Sequence, residues 1–298
     1  MDLDKYLPKI QKNVSLAEYT TFRIGGKASY FLTVQTKEEL FEAISFAHKL
    51  KLSFFILGGG SNLLVSDKGY KGLVIKIQMN NFFVSPLEKI FAEAGAKLSD
   101  LVKISFKKGL TGMEWAAGIP RATVGGAIYG NAGGFGQSIK NIVEGVEVLD
   151  LKSFKVKNFK NKDCKFGYRE SIFKKNKNLI ILSATFKLKK AGKEKIKGLM
   201  EKYLEHRKTI QPLNYPSAGS VFKNPKTKNK SLKAGKLIEK CGLKGKRIGK
   251  AKISEKHANF IVNLGGAKEK DVKKLINLMK KQVKDKFGIT LEEEVRFL

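Results

Sequence analysis

"GIPRATVGGAIYGNAGGFG", residues 118–136, sets seven glycines and one proline among nineteen residues of a chain otherwise thick with lysine. Glycine weakens a helix or strand by about 0.5–1 kcal/mol relative to alanine, so bare main chain on this scale implies that something must approach it closely. A shorter stretch of the same kind, "GGGSN" at 58–62, lies between the apolar runs "FFIL" and "LLV". Each offers backbone N–H groups with no side chain in the way, a surface suited to anions, pyrophosphate among them. Neither has a Rossmann fingerprint: the pattern G-x-G-x-x-G started at Gly58 meets Leu63 where its third glycine belongs. A P-loop and an H-E-x-x-H pair are also absent, and the histidines, His48, His206 and His257, are scattered.

Outward from these turns the chain reads as mixed helix and strand. "TKEELFEAISFAHKLK" has capping-box spacing at Thr36 and Glu39 and an apolar stripe of Leu40, Ala43, Ile44, Ala47 and Leu50, which predicts a helix. "GLVIKI" reads as a strand, and "IFAEAGAKLSDLVKISFKKG" as a strand and a helix stopped by Gly109. "VEGVEVLDL", "FKVKNF" and "NLIILSATFKL" are strand-like. "KEKIKGLMEKYLEHRKTI" is a lysine-rich connecting helix with Ile196, Leu199, Met200, Tyr203 and Leu204 on one face. Beyond it come a short helix at "GKLIEKCG", a strand at "KHANFIVNLGG", and a helix with Val272, Leu275, Ile276, Met279 and Val283 facing inward. "KNPKTKNKSLK" is the most loop-like segment, and "ITLEEEVRFL" reads as an alternating strand. Three consecutive parts are expected, 1–78, 79–190 and 191–298.

Composition limits the function classes. The chain has 298 residues, no apolar run near the roughly 18 that span a membrane, and no apolar signal-peptide core in "MDLDKYLPKIQKN". Its two cysteines, Cys164 and Cys241, lack metal or disulfide spacing, so no metal site and a reducing cytoplasm are expected. The net charge of +32 raises nucleic acid as a partner, yet only six of the 59 basic residues are arginine. Surfaces that read nucleic acid favour the guanidinium fork, so a nucleic-acid role is disfavoured. In a chain that writes lysine by default, each arginine marks a place where a guanidinium is required.

Six stretches occur in order: "YTTFRIGGKA", "ILGGGSNLLV", "GMEWAAGIPRATVGGAIYGNAGGFG", "YRESIF", "SAGSVFKNP" and "EEEVRF". Together they resemble the UDP-N-acetylenolpyruvoylglucosamine reductase family, flavin enzymes of bacterial cell-wall precursor synthesis, from about residue 14 to the last. The resemblance implies an α+β fold: a two-subdomain FAD-binding fold of the vanillyl-alcohol-oxidase type, then a C-terminal substrate-binding domain. It implies FAD, bound non-covalently because no His or Cys lies in the glycine turns, and NADPH as hydride donor. Gly58, Gly59, Gly60, Ser61 and Asn62 would form one turn around FAD, and Gly118, Thr123, Gly125, Gly126, Asn131 and Gly133 the other. The missing Rossmann motif then has a reason, since this flavin fold does not use one.

The implied reaction delivers hydride to C3 of an enolpyruvyl group and a proton to C2, with charge spreading into the carboxylate. Such a site needs a cation, a proton donor and a carboxylic acid. By resemblance Arg169 holds the substrate carboxylate, Ser220 donates the proton, and Glu294 is the acid that assists Arg169. Strand alternation would put Glu293 on a core face with Val295 and Phe297, and Glu292, Glu294 and Arg296 on the other; Glu294 is the choice, with Glu292 in reserve. Tyr168, Lys208 and Asn224 resemble substrate-binding positions. The short interval from Arg169 to Lys208 resembles the branch of the family without an inserted tyrosine loop. Two other readings compete: another flavin enzyme on the same fold, such as an oxidase, and a basic nucleic-acid-binding protein.

Overall fold

The computed structural model describes Leu7, residues 9–226 and residues 232–298; the "TKNKS" part, 227–231, of the loop-like segment 223–233 lies outside them. The chain forms two compact units, each built from separated segments. The first holds residues up to Gln11, Phe31–Gly59 and Leu73–His206; the second holds Lys12–Tyr30, Gly60–Gly72 and Arg207–Leu298. These two units group the chain by packing, whereas the three consecutive parts read from the sequence divide it by position. Composition marks consecutive segments, whereas packing groups strands by partner, and the strands Lys27–Val34 and Tyr70–Ile77 each run from one unit into the other.

The first unit contains an antiparallel sheet in the order Lys155–Lys160, Val143–Asp150, Leu179–Lys187, Lys89–Glu93 and Phe82–Val84. The three runs read as strands around 143–187 are its first three members. Leu179–Lys187 is buried along almost its whole length, whereas the edge strand Lys155–Lys160 is exposed. Lysine on an exposed edge also discourages pairing with a second chain. Phe54–Leu57 runs parallel to Leu73–Lys76. The helix Lys37–Lys49 starts as expected, with the Glu39 N–H donating to the Thr36 hydroxyl at 3.2 Å. The Glu39 carboxylate departs from the capping box: it accepts from Gln35 N at 2.6 Å and from Lys9 Nζ at 2.6 Å. The helix Leu98–Lys107 ends at Lys108, and Gly109 follows at φ +64°, the left-handed position that glycine fills without strain.

In the second unit the strands Arg247–Ile248, Ala251–Ile253 and Ile261–Asn263 form an antiparallel sheet. The helix Glu269–Phe287 buries Val272, Leu275, Ile276, Met279 and Val283, as its spacing predicted. They share a core with Phe22, Ile24, Leu64, Phe222, Leu291 and Val295. The chain end differs from expectation. Only Arg296–Phe297 pairs as a strand, parallel to Leu63–Leu64, and Glu293 bridges Phe222. Val295 is 4% exposed but Phe297 is 43% exposed, so the alternation read across "EEEVRF" breaks at Arg296. A two-residue pairing cannot hold a pleat over the ten residues of "ITLEEEVRFL". The connecting helix forms over Lys193–Ile210, yet of its apolar face only Ile196 is fully buried.

Among the described residues no helix is long and apolar enough to cross a membrane, and no cluster of His, Cys, Asp or Glu could hold a metal. Burial, with Asp163 beside it, pushes the Cys164 thiol up to about 12, so it stays protonated.

Candidate active site

In the first unit the long glycine stretch is clamped from beneath. Val124 N donates to Ala96 O at 2.9 Å, Gly125 N to Ala94 O at 2.8 Å, and Leu98 N to Ala122 O at 2.9 Å. A short helix, Val124–Tyr129, is started by Thr123, whose hydroxyl accepts from Gly126 N at 3.4 Å. The glycines serve two purposes. A Cβ on Gly58 would lie 2.8 Å from Thr123 Oγ1, and one on Gly59 only 1.6 Å from the Arg121 carbonyl. A Cβ on Gly133 would lie 2.4 Å from Gln137 O, and one on Gly125 would lie 3.1 Å from Ala94 Cβ. These four are bare because the protein itself occupies the space. Gly126 is different: it is exposed, and a Cβ there would meet only Thr123 Oγ1, at 3.4 Å. Gly118 is exposed too, at φ +76°.

Arg169 is tied to that stretch. It sits in a two-residue turn in which Gly167 N donates to Glu170 O at 3.0 Å and Glu170 N to Gly167 O at 3.2 Å. Asn131 Nδ2 donates to Gly167 O at 2.7 Å, and Ser171 Oγ to Tyr129 O at 2.7 Å, so both ends of the turn hang on the glycine stretch. Asn131 Oδ1 also accepts from Lys140 N at 3.2 Å. Arg169 adopts φ +57° and its guanidinium lies 5.4 Å from the Tyr168 ring. A non-glycine residue there costs about 1–2 kcal/mol, and such strain persists where a side chain must be aimed. Arg23 and Arg121 share this conformation, so three of the six arginines are held in it.

The second unit brings the backbone of Ser220 and Glu294 together on either side of Val221. Ser220 bridges Phe260, Val221 N donates to Asn259 O at 2.8 Å, and Glu294 N donates to Val221 O at 2.7 Å. The buried Asn259 side chain mimics a strand partner: its Oδ1 accepts from Phe222 N at 3.0 Å and its Nδ2 donates to Phe222 O at 2.8 Å. Glu292 pairs with Lys223, and Glu293 with Lys280 at 2.8 Å. Gly60 and Asn62 also belong to this unit. A Cβ on Gly60 would lie 2.0 Å from the Tyr19 carbonyl, and Asn62 Nδ2 donates to the Glu294 carbonyl at 3.0 Å. Ser61, between them, is half-buried. Lys208 is exposed, its carbonyl accepting from Lys256 Nζ. Asn224 Oδ1 accepts from Ala234 N at 3.1 Å, at the start of the helix Ala234–Lys240, which gives that side chain a structural bond.

Asn259 was not singled out by the sequence; its only signal is a polar residue in an apolar run. Asn259→Leu strands both backbone groups of Phe222, each at a cost of about 1–3 kcal/mol. Urea unfolding is expected to report a loss of about 2–4 kcal/mol; an unchanged midpoint would refute the strand-partner role.

The residues fit a flavin nucleotide. Asn62 Oδ1 is buried with no hydrogen-bond partner among the described residues, and Gly126 leaves open space above the stretch. Amide side chains and backbone N–H groups of this kind suit a nucleotide rather than a metal.

Residues 28–154 match an FAD binding domain, and residues 211–298 match the C-terminal domain of UDP-N-acetylenolpyruvoylglucosamine reductase. Reductases of that name from Caldanaerobacter subterraneus and Caldicellulosiruptor bescii are 44% and 45% identical to the chain; the matches cover 97% and 100% of it and 94% and 95% of the relatives. The chain belongs to the UDP-N-acetylenolpyruvoylglucosamine reductase family. The crystal structure of the family's enzyme from Thermus caldophilus superimposes with a TM-score of 0.81 at 36% identity, over 97% of this chain and 99% of that one. The chain is therefore an FAD-dependent oxidoreductase of α+β fold, with an FAD-binding part and a C-terminal part, as its six motifs implied.

Proposed function

We infer that the chain reduces the enolpyruvyl group of UDP-N-acetylglucosamine enolpyruvate to give UDP-N-acetylmuramate, with NADPH as donor, and that Arg169, Ser220 and Glu294 are its catalytic residues. Bound FAD supplies the hydride that it takes from NADPH. The chain supplies the rest. Arg169 holds the substrate carboxylate, where negative charge accumulates, and the Ser220 hydroxyl gives the proton to C2. Glu294 is the acid that assists. The observation that supports this choice is the backbone hydrogen bond from Glu294 N to the carbonyl of Val221, the residue next to Ser220. Gly58, Gly59, Gly60, Ser61, Asn62, Gly118, Thr123, Gly125, Gly126, Asn131 and Gly133 form the bed for FAD, and Tyr168, Lys208 and Asn224 bind substrate. The first two of the three sequence segments, 1–78 and 79–190, are the FAD-binding subdomains and 191–298 the substrate domain.

The cytoplasm is the setting that suits two free, protonated thiols. Nucleic acid is not a partner in this reading, since the cations are overwhelmingly lysine. The test is the visible spectrum of the purified protein together with NADPH consumption. A flavin spectrum released on denaturation, with NADPH consumed beyond one equivalent of flavin only when the enolpyruvyl sugar is present, is the expected result. A colourless protein that binds polynucleotides with steep salt dependence would overturn it.

A further inference from the structure

"GLVIKI" places a lysine, Lys76, in a strand that is otherwise buried from Gly72 to Ile77. A lysine in such a place needs its ammonium satisfied. The parallel register pairs Leu57 with Lys76, so the lysine stem runs beside the last strand residue before the first glycine turn. Its ammonium donates to the Gly58 carbonyl. The charged groups facing it are Arg121 and Lys97, and both are positive. Arg121 belongs to the backbone that fills the space beside Gly59, and Lys97 bridges Thr123. No carboxylate forms an ion pair with Lys76 among the described residues. Burial first, then Arg121 and Lys97, pull Lys76 down to about 8. Three cations at one glycine turn repel one another, and an anion seated there would relieve the repulsion.

We propose that Lys76 is a charged anchor for the diphosphate of FAD at the Gly58 turn, and that it takes up a proton as FAD binds. The inference rests on the reading that the glycine turns hold FAD. Its sign follows from linkage. A bound diphosphate favours the charged ammonium, so the pKa of Lys76 rises on binding. Affinity is then fully present below the pKa of the free protein and falls as pH rises through it.

The test is titration of flavin-free protein with FAD, followed by flavin fluorescence between pH 7 and 9. The unmodified protein should lose affinity above about pH 8, approaching tenfold per pH unit, the limit for one linked proton. Lys76→Arg keeps its charge throughout, so it should bind nearly as tightly at pH 7 and show a flat profile. Lys76→Met should bind at least about tenfold more weakly at pH 7, the lower end for a charged hydrogen bond, and also be flat. Riboflavin, which has no phosphate, should bind all three proteins alike. UDP titrated into FAD-loaded protein separates the two diphosphates in play, and its affinity should not respond to Lys76→Met. An unchanged FAD affinity in Lys76→Met, a pH fall that persists in Lys76→Arg, or a loss of UDP rather than FAD binding would each overturn the proposal. A protein that binds no FAD at all fails the broader reading instead, so the two failures are distinguishable.

Discussion

Ser220→Ala slows oxidation of the flavin by the enolpyruvyl sugar by about 10²–10⁴-fold, the usual contribution of a positioned acid, and leaves flavin reduction by NADPH within a few-fold of normal. The asymmetry follows from where a proton is needed. Only the step at the enolpyruvyl group leaves negative character at C2, and a donor must quench it. The substitution is clean because backbone groups fix the position: Ser220 bridges Phe260 and its neighbour Val221 donates to Asn259. Alanine keeps those bonds and removes only the hydroxyl. Stopped-flow absorbance follows the two half-reactions separately. If oxidation by substrate keeps its rate, Ser220 is not the acid; if both half-reactions slow alike, its role is to shape the flavin pocket.

Gly126→Val yields a folded protein that purifies without flavin. Space decides this outcome. A Cβ at Gly126 meets only Thr123 Oγ1 at 3.4 Å, so the protein can accept a side chain there. The added bulk projects into the open face above the stretch, where a cofactor lying on the backbone would touch it. Gly59→Val serves as the contrast, because its Cβ would sit 1.6 Å from the Arg121 carbonyl and must push backbone aside. Circular dichroism should therefore show the native spectrum for Gly126→Val and a damaged one for Gly59→Val. Full FAD content in folded Gly126→Val removes that glycine from the bed.

What the sequence revealed depended on how local the signal was. The helix Glu269–Phe287 was legible because five apolar residues repeat at helical spacing, and all five are buried. The glycine turns and Arg169 stand out in the sequence because they break the habits of the chain: bare backbone amid lysine, and arginine where lysine is the rule. The chain end was misread because its one ladder runs to Leu63–Leu64, more than 200 residues earlier in sequence. Asn259 and Lys76 escaped notice for a related reason. Each looks like a stray polar residue in an apolar run until its partner, Phe222 or Gly58, is placed beside it. The choice of Glu294 among three adjacent glutamates rested on the resemblance of "EEEVRF" to the family's motif, because residue type alone does not separate three acids in one run.

The interleaving of the second unit has a consequence for how the chain is made. Phe22, Ile24 and Leu64 pack into a core whose other members begin at Ala218. A ribosome adding about 5–20 residues per second leaves those three side chains waiting on the order of ten seconds before their partners emerge. During that interval the partners of those side chains in this core have yet to be made, and the unit closes only once residues 218–295 have emerged. Leu298 takes part in the closing, since its carbonyl accepts from Ser66 N at 2.6 Å. A stalled or prematurely terminated chain would therefore lack the second unit altogether, rather than carry a shortened form of it.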